Sequence, residues 1–186
     1  RCFFISMIVY LMAFLLNAFD IFIIDKGIML MGFIPSIFIY LTMLLITKKV
    51  SLSSDKIKYF ILFSIVSVFT LVGVSITYHV VIIAVLPILY AILYSSRKVM
   101  WYVYGLTVVS TIIIVYAGYY YGLCDANMAL LTTTKLDNYL LDGYFTITAV
   151  NDNPLVTLML YFVIPRCLIY IAFMAVCSNI FRIVKA

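Results

Sequence analysis

YFILFSIVSVFTLVGVSITYHVVIIAVLPILYAILY, residues 59–94, contains no Asp, Glu, Lys or Arg. A helix crossing about 30 Å of hydrocarbon uses roughly 17–25 residues, so this run is too long for one crossing. A turn within Val74–His79 divides it into two, at Tyr59–Ser75 and Tyr78–Tyr94. That division sets the count for the whole chain.

Outward from it lie four more apolar runs, approximately Cys2–Ile24, Ile28–Ile46, Met100–Tyr121 and Pro154–Phe181. Apolar residues make up 67% of the sequence, charged residues 10%, and glutamate is absent. A soluble domain of this length has no core large enough to hide that much apolar surface. The expected fold is all-α, a polytopic bundle of six transmembrane helices forming a single domain over residues 1–186, with membrane lipid as its main partner.

Loop charge tests the division, because cytoplasmic loops collect Lys and Arg. With the amino terminus inside, the inner side receives Arg1, Lys48, Lys49, Lys56, Lys58, Arg97, Lys98, Arg182 and Lys185. The outer side receives only Lys26 and Lys135. Five crossings would break this alternation, so both termini are expected in the cytoplasm. The formal net charge of +5 follows from the inner loops and calls for no nucleic-acid partner.

The first run holds Asn17 and Asp20, lacks a small-residue cleavage site after it and exceeds a typical secretory apolar region. It reads as a retained helix and not as a signal peptide. The chain begins with Arg and ends soon after the last crossing, which suggests a membrane part of a longer protein. A native intact mass near 21.2 kDa would contradict that. The last run exceeds the roughly 20 residues of a perpendicular crossing, so it either tilts or projects into the cytoplasm, where it could pass a signal onward.

Residues 122–153 form the longest outer segment, beyond the 12–15 residues usual for a plain loop. Its Leu, Tyr, Phe and Ile content suggests a folded extracellular cap, with a helical turn over Asp137–Tyr144 and strand-like alternation over Tyr144–Val150. Asn153-Pro154 reads as an N-cap followed by Pro at the first helical position.

Charged groups in hydrocarbon are functional candidates by default. Arg166 falls about 18 Å from the outer end of its helix at 1.5 Å per residue, near mid-membrane. Pro165 before it frees the carbonyl of Tyr161. Two readings stand side by side: an anchor for an anionic ligand, or a structural pair with Asp20, which lies about two turns away in depth. His79, at the outer rim, suits a hydrogen bond to the cap or a ligand and a charge change near neutral pH. Ser75 precedes it by four residues, but no third group of fixed spacing orients the imidazole for catalysis.

One His and scattered Cys2, Cys124, Cys167 and Cys177 give no zinc spacing, and no cofactor is implied. Tyr116, Tyr119, Tyr120 and Tyr121 read as an interfacial aromatic belt. Gly122 reads as a helix terminator, although Gly118 and Gly122 have the spacing of a close helix approach. Pro35 and Pro87 are expected to kink their helices.

Tyr78-His79, Leu86-Pro87-Ile88-Leu89-Tyr90, Ser96-Arg97-Lys98, Gly122-Leu-Cys-Asp-Ala-Asn127, Asn151-Asp-Asn-Pro154 and Pro165-Arg-Cys-Leu168 carry a resemblance across the second half of the chain. Together they resemble the amino-terminal six-helix sensor region of membrane-bound bacterial GGDEF proteins, the diguanylate cyclases. The resemblance implies a homodimeric receptor in the bacterial cytoplasmic membrane, whose outer pocket controls a domain that joins two GTP molecules into cyclic di-GMP. The GGDEF signature itself is absent here, so this chain is not expected to be an enzyme.

The functional expectation is a sensory domain holding an extracytoplasmic ligand with some of Asp20, His79, Asp125, Asn127 and Arg166. One cation and one anion suit a zwitterion or small carboxylate. A small-solute transporter component would show matching broken helices in two halves, and no such internal repeat is found. A passive anchor and dimeriser is the remaining alternative.

Overall fold

A computed structural model describes residues 2–21, 25–50, 55–76, 81–94, 96–121 and 153–185. Among them every regular element is helical. Helix α1 spans Cys2–Ala18, α2 Lys26–Lys49 and α3 Asp55–Ile76. A 3-10 stretch, Val81–Val85, leads into the short α4, Leu86–Ile92, and α5 spans Arg97–Tyr121. The last helix, α6, runs through Pro154–Leu158, a π-helical turn at Met159–Val163 and Ile164–Lys185.

Four of these helices are long and apolar enough to cross a membrane: Lys26–Lys49, Lys56–Ser75, Arg97–Tyr121 and Pro154–Ile180. Two shorter apolar helices, Phe4–Ala18 and Ile83–Ile92, accompany them. The six expected runs therefore all contain helix, and among the described residues four of them hold a helix of spanning length.

The first difference lies at the end of α1, expected near Ile24 and found at Ala18. Asp20 takes the left-handed conformation (φ 59°), the Asp20 N–H bonds the Asn17 carbonyl at 3.1 Å, and the Ile21 N–H bonds the Leu16 carbonyl at 2.9 Å. This pair of reversed bonds is a Schellman stop, which satisfies the last carbonyls and turns the chain out of the helix. Asn17 thus lies buried in the last turn of α1, and Asp20 sits just past its end rather than inside it.

The second difference is α4, expected over Tyr78–Tyr94. Its regular part is Val81–Ile92, with Pro87 in the first α-turn. There the missing N–H of proline removes no helical bond, so Pro87 starts a helix instead of kinking one. Pro35, by contrast, does lie inside α2.

Helix α4 is central among the described residues. Ala84, Val85, Pro87, Ile88 and Ala91 are all buried. On one side Ile83, Leu86 and Tyr90 pack against a cluster from α1, α2 and α3 that includes Tyr10, Phe33 and Phe69. On the other, Ile88 and Ala91 join Val99, Met100, Val103, Tyr170 and Met174 from α5 and α6. A helix wrapped by its own protein has its backbone shielded whatever its length.

Close approach elsewhere depends on small residues. A Cβ at Gly73 would fall 2.5 Å from Ile114 Cδ1, so the glycine lets α3 lie against α5. Hydroxyls reinforce the same seam: Thr70 Oγ1 and Ser110 Oγ are 2.7 Å apart. Phe33 of α2 stacks on Phe14 at 4.2 Å between centroids and receives Tyr10 edge-on at 5.3 Å, binding α1 to the bundle.

Helix directions follow from paired contacts. Tyr59 meets Tyr102 and Thr70 meets Ser110, so α3 and α5 run parallel. Phe4 meets Tyr40 and Phe14 meets Phe33, so α1 and α2 are antiparallel. Ser75, near the end of α3, reaches the Ile28 carbonyl near the start of α2 at 3.4 Å, so these two are antiparallel as well. The Tyr116 hydroxyl donates to the Leu155 carbonyl at 2.7 Å, from the last turns of α5 to the first of α6. The consequence is a polarised bundle. Lys48, Lys49, Lys56, Lys58, Arg97 and Lys98 share one end, while Asp20, Asp25 and Lys26 share the other.

Candidate functional site

Proline at 165 has no N–H to offer the carbonyl of Tyr161, and the helix before it adjusts. The Ile164 N–H reaches five residues back to the Met159 carbonyl, in the π register, so the Leu160 carbonyl loses its usual donor too. Two adjacent carbonyls without their α-helical donors therefore lie just ahead of Arg166. The π register belongs to the stretch Met159–Val163, and ordinary α-helix resumes at Ile164. Asn153 caps the start, its side-chain oxygen accepting from the Leu155 N–H at 3.0 Å, with Pro154 in the first turn as expected.

Arg166 is partly buried, with its guanidinium carbon 5.8 Å from the centre of the buried Phe162 ring. That geometry is a cation–π contact, which holds a guanidinium against an aromatic wall. One turn further on, the Tyr170 hydroxyl lies 3.3 Å from that of Thr111 on α5. Thr111 also donates to the Thr107 carbonyl at 2.8 Å, whereas the buried Thr107 hydroxyl has no partner among the described residues. Arg166, Tyr170, Thr111 and Thr107 thus form a polar strip where α6 meets α5. A buried hydroxyl with no partner costs about 1–3 kcal/mol unless water or a ligand meets it.

A second polar cluster joins α1, α2 and α3. The Tyr10 hydroxyl is buried beside Ser36 and Ser75 and, like that of Thr107, makes no hydrogen bond among the described residues. Both Tyr10 and Ser75 converge on Gly32, where a Cβ would collide with the Ser75 hydroxyl and fall 2.7 Å from the Tyr10 oxygen. Ser75 itself donates to the Leu71 carbonyl at 3.1 Å and Ser36 to the Gly32 carbonyl at 2.7 Å. Ser75 is therefore engaged with α2 and its own helix.

Asp20 lies apart from both clusters. It is exposed, and its carboxylate pairs with Lys26 Nζ at 2.8 Å across the turn into α2. The structural pair of Arg166 with Asp20 entertained from the sequence is thus replaced by a local one. His79, Asp125 and Asn127 lie outside the described residues, as does the cap up to Asp152. Among the described residues no group of three or more His, Cys, Asp or Glu side chains comes together; Cys167 and Cys177 are unbonded thiols.

The tyrosines at the end of α5 divide. Tyr120 and Tyr121 are exposed, as an aromatic belt requires, but Tyr119 is buried among Val115, Leu158 and Phe162, and Tyr116 ties the helix to Leu155. Half of the belt is packing.

Sequence reasoning passed over Tyr10, Gly32, Ser36, Thr107, Thr111 and Tyr170. Single hydroxyls in apolar helices are common, and most bond the carbonyl one turn back, so residue type alone does not mark them. Gly32 and Ser36, four apart, carried the small-residue spacing of a helix contact.

No family model matches the chain, and comparison with curated proteins and with solved structures finds no match.

Proposed function

We propose that this chain is a multi-pass sensory domain of the bacterial cytoplasmic membrane, with six crossings and both ends inside. It would bind a small zwitterion or carboxylate from outside and signal to a cytoplasmic output, most simply a diguanylate cyclase. Gathering Lys48, Lys49, Lys56, Lys58, Arg97 and Lys98 at one end supports this orientation, since basic residues are retained on the cytoplasmic side.

The observation that carries the reading is Arg166. It is a partly buried cation about 18 Å along a helix at 1.5 Å per residue, held over Phe162 just after a π-helical turn. A charge at that depth is costly, and π turns occur frequently at functional positions. Arg166 would hold the ligand's carboxylate, with His79, Asp125 and Asn127 completing the pocket from the outer side. Asp20 would offer the ligand's ammonium a partner only by giving up Lys26.

The carbonyls of Leu160 and Tyr161, without their α-helical donors, would let α6 shift between two arrangements. Ligand binding shifts such an equilibrium only through different affinities for the two. Because α6 continues to the basic end, a change at Arg166 is delivered there. The test fuses the full chain to a cyclic di-GMP-forming domain in cells and adds amino acids and small carboxylates outside. The reading expects at least one to change cyclic di-GMP, with the response abolished in Arg166→Ala. Ligand uptake without any change in output would favour the transporter reading instead.

A further inference from the structure

A groove of about 330 Å³ lies between α5 and α6, lined by Arg97, Trp101 and Tyr104 on one wall and by Ile171, Met174 and Ser178 on the other. Each wall is a single helical stripe, with spacings of four and three residues on α5 and three and four on α6. The groove's lining begins at Arg97, the first residue of α5 at the basic end of the bundle. It extends about 10 Å deeper, seven residues along, to Tyr104 and Ile171. We propose that this groove binds one anionic phospholipid, its phosphate on Arg97 and Lys98 and one acyl chain along Trp101, Tyr104, Ile171 and Met174.

Charge and polarity along the groove decide the occupant. The mouth carries a cation beside an exposed lysine, and among the described residues Lys48, Lys49, Lys56 and Lys58 gather at the same end of the bundle. Beyond the mouth the lining is thioether, aromatic and aliphatic. Trp101 is 64% exposed and meets Tyr104 edge-on at 5.8 Å. A tryptophan indole placed between charge and hydrocarbon is the usual occupant of the headgroup boundary. Basic pockets between helices on the cytoplasmic side recognise anionic headgroups. Phosphatidylcholine offers the same chains but a zwitterionic headgroup, so the preference resides in Arg97 and Lys98. The inference rests on the membrane placement proposed above, and not on ligand binding at Arg166. Because the groove is half built by α6, the bound lipid would bias the same helix that carries the signal.

Trp101 is the single tryptophan of the chain, so its fluorescence reports on this groove alone. The full chain is reconstituted into phosphatidylcholine vesicles doped with equal fractions of either brominated phosphatidylglycerol or brominated phosphatidylcholine, and quenching is compared. The anionic lipid is expected to occupy the site at least about fivefold more readily, the factor that one Lys or Arg near an anionic surface contributes. Arg97→Gln should reduce the preference and Arg97→Gln combined with Lys98→Gln should bring the two lipids to parity, while Lys49→Gln, at the same end but on α2, should leave the preference intact. Equal quenching in the unmodified protein, or a preference lost equally in Lys49→Gln, overturns the site but leaves the membrane placement standing. No quenching by either lipid overturns both.

Discussion

The carboxylate of Asp20 lies 2.8 Å from Lys26 Nζ, across the turn that ends α1 and opens α2. Asp20 also holds the left-handed conformation, at φ 59°, that completes the Schellman stop. Its two roles differ in weight. The ion pair is largely exposed, at 62% and 76% for the two side chains, and contributes about 0–1 kcal/mol. The backbone conformation matters more, because left-handed geometry costs an ordinary side chain roughly 1–2 kcal/mol. Asp20→Gly should therefore leave stability within about 0.5 kcal/mol of the unmodified protein, whereas the β-branched Asp20→Val should lose about 1–2 kcal/mol. Chemical unfolding in mild detergent distinguishes them.

Gly32 and Gly105 make a second contrast. A methyl at Gly32 meets the Ser75 hydroxyl and, at 2.7 Å, the Tyr10 oxygen, whereas a methyl at Gly105 meets nothing within 4 Å. Overpacking costs about 1–3 kcal/mol, while replacing a helical glycine that has room gains roughly 0.5–1 kcal/mol. Gly32→Ala should lower the melting temperature and Gly105→Ala should hold or raise it. Equal effects from the two would contradict the close contact of α1, α2 and α3.

The Thr70–Ser110 contact at 2.7 Å joins parallel helices through hydroxyls. Double-mutant cycles on such bonds inside membranes average about 0.6 kcal/mol, with a maximum near 1.7. A cycle of Thr70→Val and Ser110→Ala should return a coupling of about 0.5–1 kcal/mol. Additive losses would mean that the two hydroxyls do not bond in the membrane.

The polarised bundle predicts which positions a membrane-impermeant maleimide reaches. In a background with the native cysteines replaced, Lys26→Cys should label in intact cells, and Lys49→Cys and Lys98→Cys only after permeabilisation. Labelling of Lys49→Cys from outside would invert the orientation.

Much of this architecture can be read from residue patterns that have one physical meaning. Asn153-Pro154 starts α6 because a side-chain acceptor and a missing N–H suit the first turn of any helix. The lysines at 48, 49, 56, 58 and 98 mark one end because charge does not enter hydrocarbon. Other features depended on tertiary neighbours. The run Tyr78–Tyr94 is apolar enough for a crossing, and that its described helix, Val81–Ile92, packs between α1, α3, α5 and α6 depends on those neighbours. Asp20 resembled a buried charge because its depth was counted along an α1 assumed to run on; a left-handed residue ends the helix earlier. At Arg166 the proline was visible and its freed carbonyl at Tyr161 was foreseeable. The π turn that also releases Leu160 has no periodic signature. The neighbours of Tyr10 and Tyr170 come from helices far apart in sequence, which a residue-by-residue reading does not bring together.

The central claim is that Arg166 anchors a ligand. The most direct measurement is a thermal-shift screen of the purified chain against amino acids and small carboxylates, repeated with Arg166→Ala and Arg166→Lys. A ligand at 100 times its dissociation constant adds about 2.7 kcal/mol of stability. The account predicts a stabilising zwitterion or carboxylate whose effect disappears in Arg166→Ala and is partly restored in Arg166→Lys. A ligand that stabilises the unmodified protein and Arg166→Ala equally would contradict it.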